Sequence, residues 1–147
     1  IYAADSDDLY TWRVAGPVLT NKAQEGPNVF FWRDSYWMIT DMWQGQDVHR
    51  SDNCERWTYA STILREPGAR PEDGWYGHHA DVHVQGDEAF LFYFVHPQRH
   101  TAIAGSVPEV EPYAHRRTTL QVARLDLRAG VPVCDRDTPF EFGLIVP

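Results

Sequence analysis

Gln24–Thr40 reads QEGPNVFFWRDSYWMIT, and this stretch decides the fold. Glu25 stands directly before Gly26-Pro27. An apolar run follows, Val29–Trp32, then a polar break of hairpin-turn length, Arg33-Asp34-Ser35, then a second apolar run, Tyr36–Ile39. Two strand-like runs around a short polar break predict a β-hairpin. Pro27 holds its own φ near about −65° and biases Gly26 away from the helical region. Glu25 is therefore expected on a stiff, extended lead-in at the mouth of a strand. Such a place suits a general acid, and the rest of the chain repeats the hairpin around it.

The repeat is visible in two registers. Ser6-Asp7 with Trp12 recurs as Ser51-Asp52 with Trp57, a shift of 45 residues from 6 to 51. NVFFWRDSYWM, from Asn28 to Met38, recurs in outline as DVHVQGDEAFL, from Asp81 to Leu91, a shift of 53 residues from 28 to 81. Units of 40–50 residues with about four short strands each are the signature of β-propeller blades.

The remaining chain fits that reading. Asp41–Gly45 reads as a turn, Asp47–Arg50 and Tyr59–Leu64 as strands, and Glu66–Gly77 as a long Pro/Gly loop. Gln85–Asp87 is a turn, and Gln98–Thr118 a polar, Pro-containing insertion. Thr119–Leu127 alternates apolar and polar residues, as a half-buried strand does. Val131–Cys134 is a further short strand, and Phe140–Val146 closes the chain. No stretch has helical periodicity, so an all-β fold is expected. Residues 1–14 read as the end of a preceding blade, 25–64 as one blade, 78–134 as the next and 135–147 as a closing segment. About three blades fit in 147 residues, and a closed ring needs at least four. The ring is expected to be completed by the rest of a longer protein or by another copy.

Composition narrows the partners. The 147 residues carry 43% hydrophobic and 23% charged side chains, which excludes a disordered chain. A net charge of −8 argues against nucleic acid and anionic membranes. No apolar run approaches the ~18 residues of a membrane span. Cys54 and Cys134 are too few for a disulfide framework and are read as free thiols.

Under the 53-residue shift, Glu25 aligns with His78 and Gly26 with His79. In a propeller the innermost strands start near the axis, so Glu25, His78, His79 and Asp81 are expected to converge at one mouth. A carboxyl shielded from water can hold a proton for a leaving group. Asp41 and Asp81 are candidates for a second carboxyl or for binding substrate hydroxyls. Trp43, Trp75 and Tyr76 fall in loops, where flat rings either stack on sugars or pack between blades. His96 ends a strand. His-x-Asp lacks a matching distant ligand set, so no metal centre is assigned.

Together these motifs resemble the five-bladed β-propeller glycoside hydrolases, family 43 in particular. Ser6-Asp7-Asp8-Leu9-Tyr10-Thr11-Trp12 is similar to the motif that ends a blade there. Glu25-Gly26-Pro27 is similar to the opening that carries the general acid, and Gly77-His78-His79 to the Gly-His opening of the blade after, with His79 the better match. Phe94-Val95-His96 resembles a Tyr-His strand end. The resemblance spans roughly Ser6–Asp135 and corresponds to the later blades only. It implies a glycosidase acting by inversion, with Glu25 protonating the leaving oxygen and the base, an Asp of the first blade, outside this chain. It implies a carbohydrate partner; with the residues read above, the expected substrate contacts are His79, His78, Asp81, Asp41, Trp43 and His96. No cofactor is required, although the resemblance allows a calcium ion near the axis. A carbohydrate-binding propeller without catalysis is the alternative.

Overall fold

The computed structural model describes residues 1–99 and 113–143. Ten strands and one short helix follow in order: β1 (Tyr2–Asp5), β2 (Arg13–Pro17), β3 (Glu25–Trp32), β4 (Ser35–Asp41), β5 (Gln46–Ser51), β6 (Thr58–Ile63), β7 (His78–Gln85), β8 (Glu88–Val95), α1 (Tyr113–Arg116), β9 (Thr119–Arg128) and β10 (Val131–Val133). They form two four-stranded antiparallel sheets, β3-β4-β5-β6 and β7-β8-β9-β10, and one two-stranded sheet, β1-β2. The fold is the expected all-β one, apart from the single turn of helix. In both four-stranded sheets the strands follow chain order from one edge to the other, as in propeller blades.

Local chemistry sets the registers. Trp32 pairs with Ser35, so the first hairpin turns on Arg33-Asp34 alone, and Ser35 belongs to β4 rather than to the turn. Both turn residues have positive φ, 52° and 59°. A tight turn of that hand matches the right-handed twist of the flanking strands. The second hairpin turns at Gly86-Asp87 between paired Gln85 and Glu88. Side chains link the two tips: Trp32 Nε1 donates to the Asp87 carbonyl at 3.0 Å and an Arg33 guanidinium nitrogen at 3.1 Å.

The two blades pack face to face. Phe30, Trp32, Trp37, Ile39, Val48 and Ile63 of the first meet Leu91, Tyr93, Val95, Ala123 and Leu125 of the second in one core. Ile39, Val48, Leu91 and Val95 are wholly buried, and each such side chain contributes about 1.5–3 kcal/mol. At the outer edge Ser61 Oγ donates to the Pro132 carbonyl at 2.9 Å.

The 45-residue repeat has a structural basis. Ser6 Oγ accepts the Leu9 amide at 2.8 Å, and Asp8 Oδ1 accepts those of Tyr10 and Thr11 at 2.8 and 2.7 Å. Ser51 Oγ accepts the Asn53 amide at 3.2 Å, and Asn53 Oδ1 accepts those of Glu55 and Arg56 at 3.0 and 3.2 Å. Leu9 and Cys54 both take positive φ, and their carbonyls accept the indole N–H of Trp12 and Trp57. Short polar side chains of this kind replace missing backbone partners in turns.

β1 and β2 flank the first Ser-Asp turn, β1 within the stretch 1–14 that reads as the end of a preceding blade. Of the expected closing stretch Phe140–Val146, residues 140–143 are not in a strand, and the rest lies outside the described residues. Of the insertion Gln98–Thr118, residues 100–112 also lie outside them, and α1 falls in the remainder.

Candidate functional site

The starts of β3 and β7 carry matching irregularities. On β3, Glu25 pairs with Asp41 and Asn28 with Ile39, with a register shift between them. On β7, His78 pairs with Phe94 and Asp81 with Phe92, with the same shift. Every pair is offset by 53 residues. The extra residue of each bulge has positive φ, 53° at Gly26 and 38° at His79. Glycine accepts this conformation freely, whereas histidine adopts it at a cost. A Cβ on Gly26 would come within 2.8 Å of His79 Cδ2, so Gly26 is also the floor on which the His79 ring rests.

Asp41 gathers the two blades. It is 1% exposed. Its Oδ1 accepts the Trp43 amide at 2.7 Å. Its Oδ2 accepts the His79 amide at 2.9 Å and faces His78 Nδ1 at 3.2 Å and His79 Nδ1 at 3.3 Å. Burial pushes the carboxyl up, but the His78 hydrogen bond and the backbone N–H groups of His79 and Trp43 outweigh it and hold it below the usual carboxylate range. Asp41 is therefore a buried anchor with both oxygens engaged by groups of β7 and of the turn after β4. The far nitrogen of His79, Nε2, lies 3.9 Å from Glu25 Oε1.

Around this cluster is a mouth of about 240 Å³ lined by Glu25, Asp41, Trp43, His78, His79 and His96, together with Trp75, Tyr76, Phe94, Gln44 and Arg99. Glu25 is half-exposed there. Trp75 and Tyr76 place their rings 5.0 Å apart, and His79 stacks on Phe94 at 6.0 Å. His96 Nδ1 faces the Arg117 carbonyl at 3.2 Å. Asp81 is the exception among the expected contacts. It is absent from the mouth, and its carboxylate accepts the Asn28 side-chain amide across the blades. The bulge explains this: the extra residue turns Asp81 toward the neighbouring inner strand.

Two supports carried no sequence signal. Gln46 is wholly buried and donates through Nε2 to the Gly77 carbonyl at 3.0 Å, fixing the turn that precedes His78. A Cβ on Gly77 would strike Leu64 at 2.6 Å, so only glycine fits there. Wholly buried Asp73 holds Arg70 and Arg136 at 2.8 and 3.0 Å and accepts the Tyr93 hydroxyl at 2.8 Å. Burial and the Asp73 charge push the Tyr93 phenol well up, so it stays a donor. Arg136 also donates to the Trp75 carbonyl at 2.7 Å, which sets the aromatic wall. Arg136 lies 63 and 61 residues from Asp73 and Trp75, beyond the reach of any local pattern.

Glu25, Asp41 and His79 bring one donor atom each within 4.8 Å of one another. Calcium takes about six to eight oxygen ligands. Two carboxylates and an imidazole fall short, and the N–H groups aimed at Asp41 would face the cation. The set does not fit calcium.

No family model and no curated protein matches the sequence. Solved structures do match. A Bombyx mori GH32 beta-fructofuranosidase variant in complex with sucrose aligns over 95% of this chain and 30% of its own, with a TM-score of 0.59 at 18% identity. A thermostable family-43 glycoside hydrolase aligns over 89% and 44%, with a TM-score of 0.52 at 18% identity. A GH43 beta-1,3-galactosidase with galactodeoxynojirimycin aligns over 81% and 32%, with a TM-score of 0.51 at 16% identity. This chain thus spans less than half the length of each. At these identities the likeness is one of fold: the chain is built as part of a five-bladed β-propeller of the kind found in glycoside hydrolase families 43 and 32.

Proposed function

We propose that the mouth is the acid half of a glycosidase site. Glu25 protonates the oxygen of the departing sugar, and a carboxylate outside this chain activates water on the opposite face, so that the anomeric centre is inverted. The observation that carries this reading is the approach of Glu25 to His79 within an aromatic-walled concavity. Trp43, Trp75 and Tyr76 offer flat apolar faces to a pyranose or furanose ring. His78, His79 and His96 offer ring nitrogens to its hydroxyls. Asp41 supports this reading by elimination. Inverting pairs of carboxyls stand about 6.5–9.5 Å apart to admit a water, whereas the Asp41 and Glu25 donor atoms lie within 4.8 Å. The base is therefore sought elsewhere.

The test uses Glu25→Gln in a polypeptide that includes the remaining blades. Loss of a general acid slows hydrolysis about 10²–10⁴-fold for a sugar or alkyl leaving group. A nitrophenolate leaving group departs without a proton, so its rate should fall far less. Equal losses on both substrates would rule out acid catalysis by Glu25. A protein that binds sugars through the mouth but cleaves neither substrate would favour the non-catalytic reading, which rests on the engaged state of Asp41.

A further inference from the structure

Residues 18–24 lead the chain into β3 and set where Glu25 begins. Val18 and Leu19 donate their amides to the Ile1 carbonyl at 2.9 and 3.3 Å, and Leu19 is buried. From Thr20 to Ala23 every residue is exposed, so burial does little to fix this stretch. Two side chains hold it instead. Lys22 Nζ lies 2.5 Å from Asp47 Oδ2 and 3.6 Å from the Met42 sulfur. Gln24 Oε1 accepts the Thr40 hydroxyl at 2.7 Å. Asp47 and Thr40 are a register pair of β5 and β4, and both are wholly buried. Asp47 Oδ1 accepts the Thr62 hydroxyl of β6 at 2.8 Å. Among the described residues Lys22 is the one ion-pair partner of Asp47.

Consecutive strand residues face opposite sides of a sheet. Thr40 therefore receives Gln24 on the side of Asp47, while Asp41, the register partner of Glu25, faces His78 and His79. Tying residues 22 and 24 to one side directs residue 25 to the other. The Glu25 side chain has little else to hold it. Its carboxylate lies 3.9 Å from His79 Nε2 and makes no hydrogen bond among the described residues. A buried ion pair adds little net stability, since desolvation of both charges offsets their attraction, and its best-attested use is to select one arrangement.

We propose that Lys22 and Gln24 are positioning residues that hold Glu25 beside His79, with Asp47 and Thr40 as their anchors. This rests on the reading of Glu25 as the acid, and it adds that the acid is fixed from the face of the blade turned away from His79. A proton donor must stay on the line to the leaving oxygen, and a misplacement of about 1 Å costs up to about 10²-fold in rate.

Lys22→Met keeps the aliphatic stem and removes the charge, whereas Lys22→Arg keeps both. In NMR spectra of this chain, Lys22→Met should shift the Glu25 carboxyl carbon and the His79 ring nitrogens, and Lys22→Arg should restore them. His83, farther along β7, should not move. Gln24→Leu unties the second point without baring a charge and should shift the same two signals. In a polypeptide with the remaining blades, Lys22→Met should lower kcat on an alkyl glycoside about tenfold at unchanged KM, and should spare a nitrophenyl glycoside. Glu25 and His79 signals that stay in place in both variants, even with a lower melting temperature, overturn the proposal, because Lys22 and Gln24 then serve the fold alone. If Glu25→Gln leaves hydrolysis intact while both variants still shift these signals, the positioning stands and the acid role of Glu25 falls.

Discussion

The two complete blades share a backbone and differ in what they hang on it. Both inner strands begin with a bulge at the same place, 53 residues apart, and both bulges use a left-handed residue. The first blade puts Glu25, Gly26 and Asp41 at these positions, and the second puts His78, His79 and Phe94. An acid and its anchor on one side thus meet two imidazoles and an aromatic platform on the other. The fold fixes where the side chains point, and each blade is free to choose what they are. The left-handed residue shows the asymmetry best. Gly26 occupies its conformation without cost and makes room. His79 pays for the same conformation because its ring is needed where Gly26 leaves space.

The largest break in this pairing is expected from Asp41→Ala. It leaves the N–H groups of Trp43, His78 and His79 without their acceptor, and denaturant unfolding should show a loss of about 3 kcal/mol. Asp41→Asn, which keeps one oxygen, should lose less. Since Asp41 is held below its ordinary range, its contribution is present at neutral pH and is lost as pH falls below about 4. Next comes Gly26→Ala, expected to cost about 1–2 kcal/mol for its φ alone and more for the contact with His79. The ring nitrogens of His79 should shift in NMR spectra, and an unchanged His79 would break the claim that Gly26 seats it.

Between these and the smallest effect lies His49, on the face of the first blade turned away from the second. It is 1% exposed. Burial pushes its imidazole down, against the opposing pull of the Asp47 charge and with help from Lys22. The unfolded chain therefore takes up the proton first, so stability should fall as pH drops from 6.5. His49→Phe should flatten a melting-temperature profile between pH 7.5 and 5.5. The smallest effect is expected at Asp81. Asp81→Ala removes an exposed link to Asn28 and should cost about 0.5 kcal/mol, while sugar binding at the mouth is unchanged.

Much of this is legible in the amino-acid sequence. Glu25 before Gly-Pro, the two Ser-Asp…Trp loops and the hairpin pattern are local signals, and each corresponds to a local cause in the backbone. The convergence of Glu25 with His78 and His79 was legible because a repeat turns sequence spacing into spatial equivalence. What escaped depended on one blade meeting another. Asp41 reads as a second carboxyl or a binder of substrate hydroxyls, since nothing near it in sequence reveals the His79 N–H that β7 delivers. Asp81 read as a site residue, because the bulge that turns it away is invisible in the letters. Gln44 and Arg99 sit on loops without a pattern, and Arg136 works through partners more than 60 residues away.

The paired serine loops have a further consequence. Loop 51–57 lies at the end of its blade remote from the Asp41–Gln46 turn, and loop 6–12 is its twin. The side chains that close them, Ser, Asp or Asn and one Trp, all belong to the loop itself. The strands are thus tied off at one rim by self-contained knots, which frees the opposite rim to exchange its connecting segments. Such a division lets new specificities be tried without unravelling the packed blades that present them.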